Sequence, residues 1–153
     1  MDGGGDEIID GSVPIMDGPF AGWRTWHTDP FETQSGPFYF KHQDDGAVVC
    51  AMVAEKKHMN GGDAMHGGCM MTFADFSLFA LSGKERGGAH AVTVSLNGEF
   101  LGPAFIGETL TCTGAVTKAG GSLIFVRGLL AVGDRPVLSF SGVIKKLRPR
   151  AQT

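Results

Sequence analysis

Asp75 is the residue that packing does not explain. It lies in the stretch 67–82, where Cys69, Met70, Met71, Phe73, Phe76, Leu78, Phe79 and Leu81 occupy every face of an expected helix. A helix that is apolar all round is normally wrapped by other structure. A carboxylate inside it loses its hydration and has to be paired or hydrogen-bonded. The same helix opens on His66-Gly67-Gly68, where first-turn N–H groups and the positive end of the dipole can receive developing negative charge. An anion receptor and a desolvated carboxylate on one buried helix are the parts of a hydrolytic centre.

Two rival chemistries start from the same residues. Cys69 falls in the first helical turn, where the dipole lowers a thiol pKa, and His66 stands three residues before it; the pair suits a nucleophile. No third group is apparent to orient the histidine. His58, Asp63 and His66 can be drawn together as metal ligands, but their spacing matches no compact zinc pattern and the glycines between them read as loop. The expectation is a site without metal or cofactor.

The elements that must position these residues follow from patterning. Residues 1–18, rich in Gly and Asp, read as a flexible arm, and 19–153 as a single domain. Trp23, Trp26 and Phe31 between prolines suggest that 19–37 covers the body as a short helix or loop. Residues 38–41 and 47–54 flank the turn Asp44-Asp45-Gly46 as two strands. After the helix and the break at Gly87-Gly88 the period becomes two. Val92, Val94 and Leu96 alternate with Thr93, Ser95 and Asn97, a half-buried strand reaching about residue 101. Strands at 109–117, 123–132 and 137–146 follow, and their short connections predict a four-stranded antiparallel meander. One helix that is apolar all round needs a curved sheet to wrap it and other chains to finish covering it. That is an α+β architecture with an antiparallel sheet curled around one long central helix, the hot-dog fold.

Composition excludes several classes. At 153 residues, 42% hydrophobic and 19% charged, the chain is an ordinary globular domain able to bury a core. A net charge of −3 at pH 7 favours neither nucleic acid nor an anionic membrane surface, and Lys145, Lys146, Arg148 and Arg150 read as a solubilising tail on the last strand. Cys50, Cys69 and Cys112 are odd in number and lie in apolar runs, as reduced core cysteines do. The N-terminus lacks the basic and apolar regions of a signal peptide, and no apolar run is long enough to span a bilayer. A cytoplasmic location is expected.

A wider pattern joins these residues. Asn60 stands six residues before His66-Gly67-Gly68, and Asp75 nine residues after the histidine. A strand then begins Val92-Thr93-Val94 and runs into Phe100-Leu101-Gly102-Pro103-Ala104-Phe105-Ile106-Gly107-Glu108. From about residue 36 to 147 the chain resembles the hot-dog acyl-CoA thioesterases of the phenylacetate-pathway type. The resemblance implies that the Gly67 N–H, helped by Asn60, binds the thioester carbonyl. It implies Asp75 as general base or nucleophile, Thr93 as the hydroxyl that orients the attacking water, and His66 as a shaper of the oxyanion loop. Thr replaces the more usual Ser at that position, an equivalent donor with stiffer rotamers. Coenzyme A then belongs to the substrate. Gly68, Lys84, Arg86 and Lys118 are candidates for binding it, and Arg127, expected to point inward on its strand, is less well placed.

Helix geometry adds a constraint. Gly67 and Asp75 are eight residues apart, roughly 12 Å along an axis rising ~1.5 Å per residue, whereas a base and an oxyanion donor must both lie about 3 Å from the reacting centre. One helix cannot serve one carbonyl with both. Two antiparallel copies can, which predicts a two-fold homodimer with shared sites; family members often pair such dimers into homotetramers. The alternatives are an acyl-thioester hydratase or dehydratase, which wants a His and an acid across the protonated carbon, and a non-catalytic acyl-CoA sensor.

Overall fold

The computed structural model describes residues 10–151. One eight-stranded antiparallel sheet carries strands in the order β1-β2-β3-β4-β6-β7-β8-β5. The strands are β1 (Val13–Pro14), β2 (Arg24–Thr25), β3 (Tyr39–His42), β4 (Val48–Val53), β5 (Ala91–Phe100), β6 (Thr109–Ala119), β7 (Leu123–Val132) and β8 (Arg135–Lys146). The helices are α1 (Pro30–Ser35), α2 (Gly67–Leu81) and α3 (Gly83–Arg86). The long helix α2 lies across the sheet against β4, β6, β7 and β8. This is the curled sheet around a central helix that the sequence pattern predicts.

The helix and the sheet approach closely because of glycines. A Cβ on Gly142 of β8 would stand 2.6 Å from the Leu78 side chain, and one on Gly114 of β6 would stand 2.9 Å from the Leu81 side chain. Only hydrogen fits at either place. Around α2 the core closes on Phe38, Phe40, Met52, Leu110, Ile124 and Leu138, all essentially without solvent exposure. Phe38 stacks on Phe73 at 5.5 Å, and Trp26 meets Phe76 edge-on at 5.2 Å.

Two expectations change. The meander has three strands, β6-β7-β8, rather than four: β5 pairs with β8 and forms an edge of the sheet. The reason is the eight-residue connection 101–108, too long for a tight hairpin. It is tied down by Met65 N–H to Ala104 O (2.8 Å) and Gly107 N–H to Ala54 O (2.8 Å), which carry the chain across to β4. Second, Ser12 is buried and Val13–Pro14 pairs with Arg24–Thr25 inside the stretch read as arm; residues 1–9 lie outside the described residues. Helix α2 is not covered all round by its own chain. Met70, Phe73, Ala74, Ser77 and Leu78 are buried, while Thr72, Asp75 and Phe79 line a side left partly open.

Candidate active site

The N-terminal end of α2 is organised by local hydrogen bonds. His66 is the N-cap: its backbone is extended (φ −62°, ψ 134°) and its Nδ1 accepts from Gly68 N–H at 2.8 Å. That bond fixes the imidazole tautomer, with Nδ1 as acceptor. It also occupies the Gly68 donor, and Gly67 N–H is left without a partner among the described residues. Asn60 is brought beside this end by the bridge between Met59 and Met65. Its Oδ1 accepts from Gly62 N–H (2.8 Å) and Ala64 N–H (3.3 Å). The amide oxygen therefore holds the loop, and the Nδ2 donors remain for something else.

Eight residues further along, Asp75 meets β5. The Thr93 hydroxyl donates to Asp75 Oδ1 at 2.6 Å. Simple alternation turns Thr93 away from the helix, because Leu96 and Gly98 of the same strand face it. A β-bulge between Thr93 and Ser95 breaks the register, and Thr93 turns inward. The same bulge leaves Val92 and Val94, expected on the buried face, 45% and 57% exposed. Burial raises the Asp75 pKa, the Thr93 hydrogen bond lowers it, and the charge of Asp29 adds to the rise.

A cavity of about 740 Å³ opens at this end, lined by Asp75, Thr93, Glu32, Trp26, Phe79 and Arg86 among others. A smaller one of about 290 Å³ adjoins Asp29, Glu32, Thr72 and Asp75. Glu32 comes from α1, whose N-cap Asp29 accepts from Glu32 N–H at 2.9 Å. Burial, then the charges of Asp29 and Asp75, push its carboxyl up to about 7.

An N–H without a partner among the described residues at the start of α2 and a carboxylate–hydroxyl pair at its middle are parts that acyl transfer to water can use. The model of the thioesterase superfamily matches residues 62–138, about half of the chain. The chain belongs to this superfamily. Human acyl-coenzyme A thioesterase 13 is 36% identical to it over 96 residues, 62% of this chain and 68% of its own length. The structure of zebrafish thioesterase superfamily member 2 superposes with a TM-score of 0.62 at 32% identity, covering 72% of this chain and 81% of that one. The Escherichia coli PaaI protein from the phenylacetic acid degradation operon shares the fold, with a TM-score of 0.68 at 23% identity over 80% and 88% of the two chains. Together these make it a hot-dog thioesterase of the PaaI type.

The remaining candidates of this thioesterase scatter. Cys69 is half-buried and desolvation pushes its thiol up to about 11, so it stays protonated near neutral pH and is no ready nucleophile. His58 is committed to structure: Nδ1 accepts from Glu55 N–H at 2.9 Å, and Nε2 donates to Ser35 O at 2.7 Å. Lys84 on α3 and Lys118 on β6 are exposed. Arg127 is exposed too, not inward, on the outer face of β7. Arg86, expected beside Lys84 as a grip on coenzyme A, is 9% exposed and lines the Asp75 cavity instead. Glu32 was not among the expected site residues, yet Asp29-Pro30-Phe31-Glu32 is a helix-start signature that places an acid in the first turn.

Proposed function

We propose that this protein hydrolyses acyl-coenzyme A thioesters to the free acid and coenzyme A, at sites shared between two copies of the chain. The observation that carries the reading is the 2.6 Å Thr93–Asp75 hydrogen bond on the same helix whose first N–H has no partner among the described residues. With Oδ1 engaged by Thr93, Oδ2 of Asp75 is the oxygen left to take a proton from water. The Thr93 hydroxyl donates to Asp75, so its lone pairs are free to hold that water. As the water oxygen bonds to the carbonyl carbon, Asp75 takes its proton. The carbonyl oxygen gains charge facing Gly67 N–H and Asn60 Nδ2. The carbon–sulfur bond then breaks, and Asp75 returns the proton to the departing thiolate. His66, whose Nδ1 is bound to Gly68 N–H, serves the oxyanion loop.

Three features support a shared site. Gly67 and Asp75 are roughly 12 Å apart along α2. Strand β5 is a ten-residue edge with no partner on its outer side among the described residues, an arrangement that invites pairing with a second strand. Val92, Val94 and Phe100 on it, with Leu101 beyond, are large exposed apolar groups. Pairing β5 with its copy covers them and closes the open side of α2. Gly67 and Asn60 of one copy then face Asp75 and Thr93 of the other. Coenzyme A as the carrier is supported by the activity named for the human relative, and exposed Lys84 and Lys118 are the cations offered to its phosphates. Among the described residues no helix is long and apolar enough to cross a membrane.

The test is free-thiol release from a panel of acyl-coenzyme A thioesters by wild type and by Asp75→Ala at matched folding and oligomeric state. Turnover lost in the variant supports reaction and base together; a wild type that binds but releases no thiol sinks the reading. Sharing is tested by co-expressing Asp75→Ala with Gly67→Pro. Each mixed dimer holds one intact site, so activity returns to about a quarter of wild type; no recovery means that each site lies within one chain.

A further inference from the structure

Arg86 has no role in the hydrolysis, yet it is a buried cation in the cavity that serves it. Its guanidinium lies 5.9 Å from the Trp26 ring centroid and 5.7 Å from that of Phe79. Nη2 donates to Phe79 O at 2.9 Å, and Nε is buried without a partner among the described residues. No carboxylate there lies within ion-pair distance of it; the one ion pair of the described residues joins Arg135 to Glu108. Asp10 acts on it only from further away, and burial lowers its pKa. Five donors in a rigid fork, held between two aromatic rings and using one hydrogen bond among the described residues, are a receptor short of its acceptor.

The cavity relates this receptor to the reacting carbon. Asp75, Thr93 and Arg86 all line it. Phe79, whose carbonyl holds Arg86, stands one helical turn beyond Asp75, roughly 6 Å along α2. Trp26, Phe79, Ala91 and Val92 line the same space and suit a short hydrocarbon segment. Asp10, Asp29, Glu32 and Asp75 line it as well, and four acids disfavour a second full negative charge.

We propose that Arg86 is the specificity residue of this cavity, which takes a short acyl chain whose far end carries a neutral oxygen acceptor, an oxo or hydroxyl oxygen. This rests on the thioesterase reading above. Its unpaired donors receive the acceptor while the carbonyl sits at Asp75. A purely hydrocarbon chain of the same length leaves those donors unsatisfied and is rejected for that reason. A carboxylate at the tip meets the surrounding acids.

The test compares 5-oxohexanoyl-, hexanoyl- and adipoyl-coenzyme A with wild type, Arg86→Met and Arg86→Lys, reading kcat/KM for each. Ratios between substrates are independent of how much of a variant folds. Wild type is expected to prefer the oxo chain over hexanoyl by about tenfold or more, the worth of a hydrogen bond to a charged donor, and over adipoyl as well. In Arg86→Met the oxo-to-hexanoyl ratio falls to near one, and Arg86→Lys keeps part of it. Hydrolysis with no oxo preference in wild type, an unchanged ratio in Arg86→Met, or adipoyl as the best of the three overturns the inference alone. Silence on every thioester overturns the hydrolase reading, and this inference with it.

Discussion

The two ends of the site are built differently. At the start of α2 everything is local: His66 caps Gly68, Asn60 holds Gly62 and Ala64, and Gly67 is left with its donor. At the middle of α2 everything is assembled from afar. Thr93 arrives from a bulged edge strand and Glu32 from a helix more than forty residues upstream. Backbone donors at a helix start exist as soon as the helix does, and depend on no distant packing. A desolvated carboxylate exists only when the whole domain has closed around it. The first region should therefore tolerate changes elsewhere, and the second should report them.

The sharpest way to break this comparison is to delete one donor without touching the fold. Gly67→Pro removes the N–H at the first helical position, where proline is tolerated, and the extended backbone of His66 is what a residue before proline requires. A Cβ there stands 3.1 Å from the Phe100 ring, which has to give by only a few tenths of an ångström. We expect kcat to fall on the order of a hundred- to a thousandfold with the melting temperature nearly unchanged. An enzyme that keeps its rate while folding normally removes Gly67 from the reaction.

The comparison also explains what the sequence made legible. Asn60, His66, Gly67 and Asp75 form one run with fixed spacing, so their places along one loop and one helix needed no distant contact. Helix α2 and strands β6 to β8 follow from period and turn residues, and lie where patterning puts them. The partner of β5 was not legible, because a loop such as 101–108 carries no signal for the strand it will reach. Nor was the bulge at Val94, since alternation runs through it unbroken in the sequence. Arg86 read as an exposed cation because charge predicts solvent, and only tertiary contact with Trp26 and Phe79 draws it inside. Thr93 is the instructive case: the family resemblance pointed to it, while its own strand pattern turned it the wrong way.

Thr93 accordingly sharpens the comparison. Thr93→Val keeps the shape and removes the hydroxyl, at a cost of roughly ten- to a hundredfold in kcat/KM. Thr93→Ser should restore most of it. The hydrogen bond lowers the Asp75 pKa, so losing it raises that pKa, and activity that needs the carboxylate should begin at higher pH. The acid limb of the kcat/KM profile should therefore move to higher pH in Thr93→Val and not in Thr93→Ser. An unmoved limb means that this hydroxyl does not act on Asp75.

The smallest effect belongs to Glu32, and it is one of stability. Its carboxyl ionises near 4.5 in an unfolded chain and at about 7 in the folded one. Below 4.5 both states hold the proton and nothing is lost. Between 4.5 and about 7 the unfolded state releases the proton first, so stability falls as pH rises through that window. Glu32 is partly open to solvent, which limits the loss to on the order of 1 kcal/mol. That is a shift of roughly 2–4 °C for a domain near this size. Glu32→Gln should therefore melt higher than wild type at pH 8 and close to it at pH 4.5. Asp75 is one of the charges that raise Glu32, so the gain at pH 8 should shrink in an Asp75→Asn background. A gain that is the same in both backgrounds separates the two carboxyls. A shrinking one shows that the two carboxyls of the assembled half titrate as a unit.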